Sequence, residues 1–277
     1  MLPLALMWED YACLLSLFSL PSFPMTLWIL IALVINLVAT GYGWLGLLRG
    51  FPTRMAALIL GITSSVAISL ALGVRGEMRG ACPLMDAGEV ALFIAWSLSL
   101  FYILTGGNYR VSLLGLFTAP VITLLLLLVL VPGMLTPDPV KLTELDPWKE
   151  SHAATSVLSF GSLGMGGLAS LMFLLLNKGL KQGRPNWFTM RMPPVNTLIR
   201  SVRNLLTLGV VILTIGIICG FVTSVESGLL HLIAAGGVWV AYCVLIGWHH
   251  WRGLPPRMLA RWALGLFLFS CILFTLI

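Results

Sequence analysis

The amino-acid sequence predicts an all-α fold, that of a polytopic integral membrane protein with about eight transmembrane helices and both termini external. Composition indicates the class, because 59% of the residues are hydrophobic, only 9% are charged and the mean hydropathy is +1.01. Soluble domains do not reach these values. The length of the apolar runs indicates helices, since a helix needs roughly 20 apolar residues to cross a hydrocarbon core about 30 Å thick. Barrel strands would instead be about ten residues long with alternating polarity.

Eight apolar runs of this length follow one another along the chain and predict one transmembrane domain at residues 25–277. They are Met25–Leu48, Met55–Val74, Val90–Thr105, Val111–Val131, Ser151–Leu176, Leu205–Val225, Leu229–Trp248 and Leu259–Ile277.

The chain ahead of these runs, residues 1–24, is apolar but carries Trp8, Glu9 and Asp10 near its middle. It has no basic region at its start, so it does not fit a signal peptide. We predict an N-terminal apolar interfacial segment here. An alternative is that translation begins at Met25.

Basic residues are concentrated in alternate loops. The connections after spans 1, 3, 5 and 7 hold 12 of the 16 Lys and Arg residues and none of the 10 acidic residues. Lys and Arg near span ends stay in the cytoplasm, so both termini are predicted to be external. We interpret the net charge of +6 as a consequence of membrane topology and of contact with anionic membrane lipids. We predict no nucleic-acid partner.

Motifs for other chemistries are missing from the sequence. The five cysteines show no metal-ligand spacing, and neither a Ser/His/Asp set nor a phosphate-binding glycine loop is present. No charged residue is expected near the middle of a span; Asn36 is, but a single Asn more often joins helices than marks a transport path. We therefore predict that the protein is not an enzyme.

Four histidines lie at span ends: His152 and His231 at predicted external ends, His249 and His250 at a predicted cytoplasmic end. Helical spacing places His152 at the head of a face of small, weakly polar residues: Thr155, Ser156, Ser159, Ser162, Gly166 and Ser170. On span 7 the same spacing places six residues in one stripe, with Trp239 on its flank: His231, Ala235, Val238, Tyr242, Leu245 and His249.

Two histidines at one surface, beside small and aromatic residues, favour ligation of a haem. Neutral imidazole suits haem iron, and a planar macrocycle needs small residues to lie against and aromatic rings to stack on. The hypothesis assigns His152 and His231 as metal ligands, with Trp239 and Tyr242 nearby. His249 then marks a separate cytoplasmic-side site. The alternative is that these histidines are ordinary interfacial residues and that "WHHWRG" is an aromatic and basic anchor.

Three stretches in the second half of the chain form a set of motifs. "SHAATSVLSF" carries His152 and, eight positions later, the aromatic Phe160, and "WVAYCVLIGWHHWRG" carries Trp239 and Tyr242 in a W-x-x-Y pattern. The intervening stretch contributes Pro193, Pro194, Leu198, Gly209, Leu213, Thr214, Gly216 and Gly220. With this set the sequence resembles the cytochrome c assembly superfamily, and within it the short, eight-span HemX-like branch, in which His152 matches an external histidine.

The resemblance implies a multi-pass protein of the bacterial inner membrane that binds haem b and stores, senses or delivers it during cytochrome c assembly. Its partners would be haem, membrane lipids and other assembly proteins. The family's tryptophan-rich WGxxWxWD segment has no counterpart in "SVESGLLHLIAAGGVW". The alternative is therefore a haem-free membrane scaffold that regulates a partner such as an early haem-biosynthesis enzyme.

Overall fold

A computed structural model describes residues 25–50, 53–108, 114–137, 139, 141, 146–181, 195–222 and 229–276. All regular secondary structure in these ranges is α-helical, in eight helices. They are α1 (Met25–Arg49), α2 (Arg54–Arg79), α3 (Ala87–Asn108), α4 (Leu114–Val129), α5 (Pro147–Lys181), α6 (Val195–Val222), α7 (Leu229–Arg252) and α8 (Pro256–Leu276). The predicted all-α class and the order of the eight helices are confirmed.

Seven of these helices are long and apolar enough to cross a membrane. The eighth, α4, is shorter at 16 residues and carries Pro120 inside it. The chain is thus a multi-pass membrane protein. The predicted interfacial segment, residues 1–24, lies outside the described residues, and the predicted orientation of the termini stays a prediction.

The bundle is organised around α5, whose membrane-spanning part is the most buried of the seven long spans. Helices α1 to α4 pack together, and α3 joins them to α5. On its other sides α5 packs against α6 and α8, while α7 contacts α6 and α8. One helix therefore connects the two halves of the molecule, and its sequence decides how close its neighbours come.

Glycines on α6 bring it close to α5. A Cβ at Gly209 would lie 2.7 Å from the Leu163 side chain, and a Cβ at Gly216 would lie 2.9 Å from the Ser156 hydroxyl. Ser162 also donates a hydrogen bond of 2.8 Å to the Leu205 carbonyl. Small residues and such hydrogen bonds allow close packing where lipid removes the hydrophobic drive between helices.

A buried charge network ties the ends of α2 and α3 together at the end of the bundle predicted to be external. Arg75 and Arg79 each place Nε 2.6 Å from Oε1 of Glu89, and each also contacts Asp86, at 2.7 and 2.8 Å. Thr136, which follows α4, donates its hydroxyl hydrogen to Asp86 at 2.7 Å. Two cations thus meet two anions, which offsets the cost of burying them.

Several helices extend beyond the apolar runs that predicted them, most clearly α2, α5 and α6. Helix α5 begins at Pro147 rather than Ser151 and ends at Lys181 rather than Leu176. Helix α2 continues from Val74 to Arg79 because Arg75 and Arg79 are buried against carboxylates rather than exposed in a loop. Helix α6 begins at Val195, ten residues before the predicted start at Leu205, because its first three turns are amphipathic.

Candidate functional site

A cleft lies between the four C-terminal helices, at the end of the bundle predicted to be external. It is formed by the first turns of α5 and α7 and the last turns of α6 and α8. It contains about 690 Å³ of space not occupied by protein atoms, its open side included. The lining residues are His152, Ser156, Phe160, Leu163, Leu213, Ile217, Ala234, Ala235, Val238, Ser270, Leu273 and Phe274.

His152 enters this cleft from the second turn of α5 with one ring nitrogen already engaged. Its Nδ1 lies 2.7 Å from the carbonyl oxygen of Gly216 on α6. A carbonyl oxygen only accepts hydrogen bonds, so Nδ1 must carry a proton. In the neutral imidazole, the lone pair is then on Nε2. Metal-binding histidines usually have this arrangement, with one ring N–H donated to a carbonyl or carboxylate.

Gly220 makes room for the imidazole. A Cβ at Gly220 would lie 2.7 Å from Nδ1 and 2.9 Å from Cε1 of His152, closer than real Cβ atoms come to other heavy atoms. Gly216 is one turn earlier on the same face of α6 and supplies the carbonyl. The G-x-x-x-G pair therefore both packs the helices and fixes the ring.

Phe160 lines the cleft two turns below His152. Its ring centroid is 5.2 Å from that of Phe274 on α8, at an interplanar angle of 50°, which is a favourable aromatic pair. The predicted aromatic neighbour of His152 is thus part of the cleft wall.

Trp239 and Tyr242 are not among the cleft-lining residues. Trp239 donates its indole N–H to the Thr214 hydroxyl at 2.8 Å, which joins α7 to α6. Tyr242 is fully buried one turn below Val238. Its hydroxyl lies near Ser270 but has no hydrogen bond of normal geometry in the described part of the chain. Ser270 instead donates to the Leu266 carbonyl at 2.7 Å.

The other histidines are only partly described. The backbone of His231 is in the first turn of α7, about one turn before Ala234 and Ala235 of the cleft wall, but its side chain lies outside the described residues. His249 is half-buried near the far end of α7, and its Nδ1 is buried with no partner in the described ranges. His250 is exposed. The pairing of His152 with His231 stays a prediction.

The small-residue face of α5 has two uses. Along most of its length Ser159, Ser162, Gly166 and Ser170 are buried, with Ser162 and Gly166 directly against α6. Only at its outer end, at His152 and Ser156, does this face reach the cleft. The predicted surface for a macrocycle is therefore mainly a helix-packing surface.

Sequence reasoning missed two features of this end of the bundle. The first is the wall that α8 contributes through Ser270 and Phe274, since an apolar C-terminal span has no residue that marks a site. The second is the charge network, for which a signal exists: Arg75 and Arg79 are one turn apart and are followed by Asp86 and Glu89.

The sequence profile of the Cytochrome C assembly protein family matches residues 84–277, which include α3 to α8 and every residue of the cleft. The chain belongs to this family. Individual family members share modest identity with it. The chain is 27% identical over 154 residues to a Cytochrome c biogenesis protein CcsA of Pyropia yezoensis, covering 54% of this chain and 47% of that protein.

Similar matches are found in a cyanobacterium and a green alga. The chain is 26% identical over 145 residues to CcsA of Trichodesmium erythraeum, covering 50% and 41% of the two chains. It is 28% identical over 178 residues to CcsA of Chlamydomonas reinhardtii, covering 61% and 48%. The matched parts thus amount to less than half the length of each of these CcsA relatives, and the family membership rests on the helices that build the cleft.

Proposed function

We propose that this family member binds haem b in the cleft of α5 to α8, where Nε2 of His152 would hold the iron, and that it serves cytochrome c assembly by storing, sensing or delivering that haem. The observation that carries the proposal is the hydrogen bond between Nδ1 of His152 and the Gly216 carbonyl. It directs the lone pair of the imidazole to Nε2, as an iron ligand requires.

The residues present fit a haem. Most of the cleft wall is aliphatic or aromatic, with hydroxyls only at Ser156 and Ser270, and an apolar wall suits a macrocycle. Below the cleft wall, the Tyr242 hydroxyl lies beside Ser270 and has no hydrogen-bond partner among the described residues. When bound there, a haem would supply redox chemistry tuned by the imidazole of His152 and by the surrounding polarity.

The protein's own groups have distinct tasks in this proposal. The Gly216 carbonyl orients the imidazole, and Gly220 leaves space for the ring. Phe160 and Phe274 exclude water from the inner wall. We assign His231 as the second ligand because its backbone precedes the cleft wall by one turn of α7.

A second, cytoplasmic-side position at His249 belongs to the same proposal. Its Nδ1 is buried without a partner in the described ranges, which is costly for a polar atom unless something binds there. Helix α7 would then carry a histidine at each end. At 1.5 Å per residue, His231 and His249 are about 27 Å apart along the helix axis.

The biological setting follows the family. We propose a HemX-like protein of the bacterial inner membrane that has haem, lipids and other cytochrome c assembly proteins as partners and performs no catalysis itself. The alternative is a haem-free scaffold that regulates a haem-biosynthesis enzyme.

Purification of the full chain in detergent, with haem supplied to the expressing cells, tests the proposal. We expect a Soret band that is lost or shifted in His152→Ala and kept in His250→Ala, a matched control because His250 is exposed at the other end of α7. An unchanged spectrum in His152→Ala would overturn the ligand assignment. A colourless protein that captures a soluble enzyme would favour the scaffold.

A further inference from the structure

A second apolar hollow lies between α7 and α8, at the opposite end of these helices from the cleft. It contains about 930 Å³ of space not occupied by protein atoms, its open side included. Its walls are almost entirely apolar, and the main wall residues are Ala241, Val244, Trp248, Met258, Trp262 and Leu266. Since Ala241 to Trp248 is seven residues, the hollow runs about 10 Å along α7.

The hollow is open toward the space that lipid fills around the bundle. Val244, Trp248, Met258 and Trp262 are all exposed side chains, so the described protein leaves this trough uncovered. Tryptophan is typical of the level where lipid headgroups meet the hydrocarbon core. The two tryptophans therefore indicate that one end of the trough is at headgroup level.

Three arginines lie at that end. Arg252 lines an adjoining hollow that shares Val244 and Trp248 with the trough. Arg257 and Arg261 are one turn apart on α8, and each directly precedes a residue of the trough wall, Met258 or Trp262.

All three guanidinium groups belong to exposed residues, and neither α7 nor α8 contains an acidic residue. No ion pair within the described ranges involves any of them. The trough therefore has uncompensated positive charge at its headgroup end.

We propose that this trough is a binding site for an anionic phospholipid, with an acyl chain between α7 and α8 and the phosphate on Arg252, Arg257 and Arg261. An amphiphile with one anionic end and an apolar tail matches both the apolar walls and the charge at one end. A helix from a second copy of this chain would match the walls alone, because α7 and α8 bring only positive charge to this end. Basic pockets between transmembrane helices bind anionic headgroups by this chemistry.

Native mass spectrometry of the purified chain with added lipid tests the proposal. We expect phosphatidylglycerol to be retained in preference to phosphatidylcholine of the same acyl chains. Arg257→Ala with Arg261→Ala is expected to weaken phosphatidylglycerol retention about 25-fold. That is about fivefold for each arginine, the factor equivalent to roughly 1 kcal/mol per basic residue near a membrane surface. Arg203→Ala is the control, an exposed arginine on α6 outside the trough.

A second variant tests the acyl-chain part of the site. Val244→Trp fills the trough without changing its charge, and we expect this variant to weaken phosphatidylglycerol retention as well. In a separate competition experiment, inorganic phosphate at millimolar concentration should not displace the lipid. Equal retention of the two lipids, displacement by phosphate alone, or no effect of either trough variant would overturn the proposal. A purified chain that releases lipid and dimerises through Val244 and Trp248 would also overturn it, in favour of a second copy as occupant.

Discussion

The ring of His152 is positioned by a neighbouring helix rather than by its own. The Gly216 carbonyl accepts its Nδ1 proton, and the missing side chain of Gly220 provides the volume that the ring occupies. A backbone carbonyl oxygen has two lone pairs. Gly216 lies inside α6, which ends at Val222, and its carbonyl can therefore accept the imidazole N–H in addition to a hydrogen bond of the helix.

Gly220→Ala is expected to displace the imidazole, because the added methyl group would lie 2.7 Å from Nδ1 and 2.9 Å from Cε1. Loss of ligand-orienting contacts typically costs about 10- to 100-fold in metal affinity, and we expect haem affinity to fall by this factor. A haem titration followed at the Soret band measures it. Gly237→Ala is the matched control, since nothing lies within 4 Å of its added Cβ. Equal affinities for the two variants would contradict the proposed role of Gly220.

Asp86 makes the charge network sensitive only to strong acid. Burial alone would raise the pKa of its carboxyl, but hydrogen bonds from the Thr136 hydroxyl and backbone N–H and the charge of Arg79 outweigh burial. They lower the pKa from the ordinary 3.8 to about 2. A carboxyl with a lowered pKa stabilises the folded state above its unfolded pKa, and this contribution disappears as the pH falls toward the folded pKa.

We therefore expect Asp86→Asn to be less heat-stable than the unmodified chain in detergent by an amount that is constant above about pH 4. The difference should shrink as the pH falls from about 4 through the folded pKa of about 2. Thermal unfolding of both chains across this range measures it, with Glu77→Gln as the control because Glu77 is exposed on α2. A difference at pH 2 as large as that at neutral pH would show that Asp86 acts by packing and not by charge.

Individual site residues differ in how far the sequence predicted them. His152 and Phe160 were predicted, and both line the cleft. Trp239 was predicted from the same pattern, yet its indole N–H is bound to Thr214. Helical periodicity gives the face of a residue, but it does not say whether a neighbouring helix or a cavity meets that face.

At the scale of the element, α5 combines close packing with a site at its end. Its glycines and serines allow α3, α6 and α8 to approach, as Gly161 does against Ser97 and Gly164 against Phe267. A helix packed on so many sides is rigid, and this gives His152 a fixed base. The small-residue face that the sequence predicted is real, but its main role is packing.

Gly161→Ala is expected to separate α3 from α5, because an added Cβ would overlap the Ser97 side chain and come within 3.0 Å of the Ser97 backbone carbon. Backbone cannot move aside as the end of a flexible side chain can, so we expect a loss of about 1–3 kcal/mol, the usual cost of overpacking. Thermal unfolding in detergent measures it. Gly265→Ala on α8 meets nothing within 4 Å and should unfold at the temperature of the unmodified chain. If the two variants were equally stable, α3 and α5 would not be in close contact.

Helix existence was predictable and helix length was not. Apolar runs report the thickness of the membrane, so each of the eight runs corresponds to a helix. The early start of α6 at Val195 depends on an amphipathic stretch in which Leu198 and Val202 are buried while Arg200 and Arg203 stay exposed. Such a stretch extends a helix beyond the lipid, where hydropathy gives no signal.

At the scale of the whole molecule, the two ends of the bundle differ in charge. The end with the cleft also holds the network of Arg75, Arg79, Asp86 and Glu89, and the backbone N–H of Cys82 donates to Glu150 at 3.4 Å, which links this network to α5. The opposite end carries the arginines beside the lipid trough. Because Lys and Arg are retained in the cytoplasm, this asymmetry predicts that the cleft faces outward.

Labelling with a membrane-impermeant thiol reagent tests that orientation. In a cysteine-free background, Lys141→Cys should react in intact cells, because it follows α4 at the predicted external end. Lys178→Cys should react only after the cells are opened. Both positions are exposed, so accessibility to water is matched. The reverse pattern would place the cleft at the cytoplasmic end of the bundle.

The central claim, that His152 ligates haem, is tested most directly by chemical rescue of His152→Gly. Haem titration of this variant is expected to give a weak or shifted Soret band, and free imidazole at millimolar concentration should restore the band of the unmodified chain by occupying the vacated ring position. Gly216 and Gly220 stay in place to hold the added ring. If His152→Gly binds haem with an unaltered spectrum and imidazole changes nothing, His152 is not the ligand.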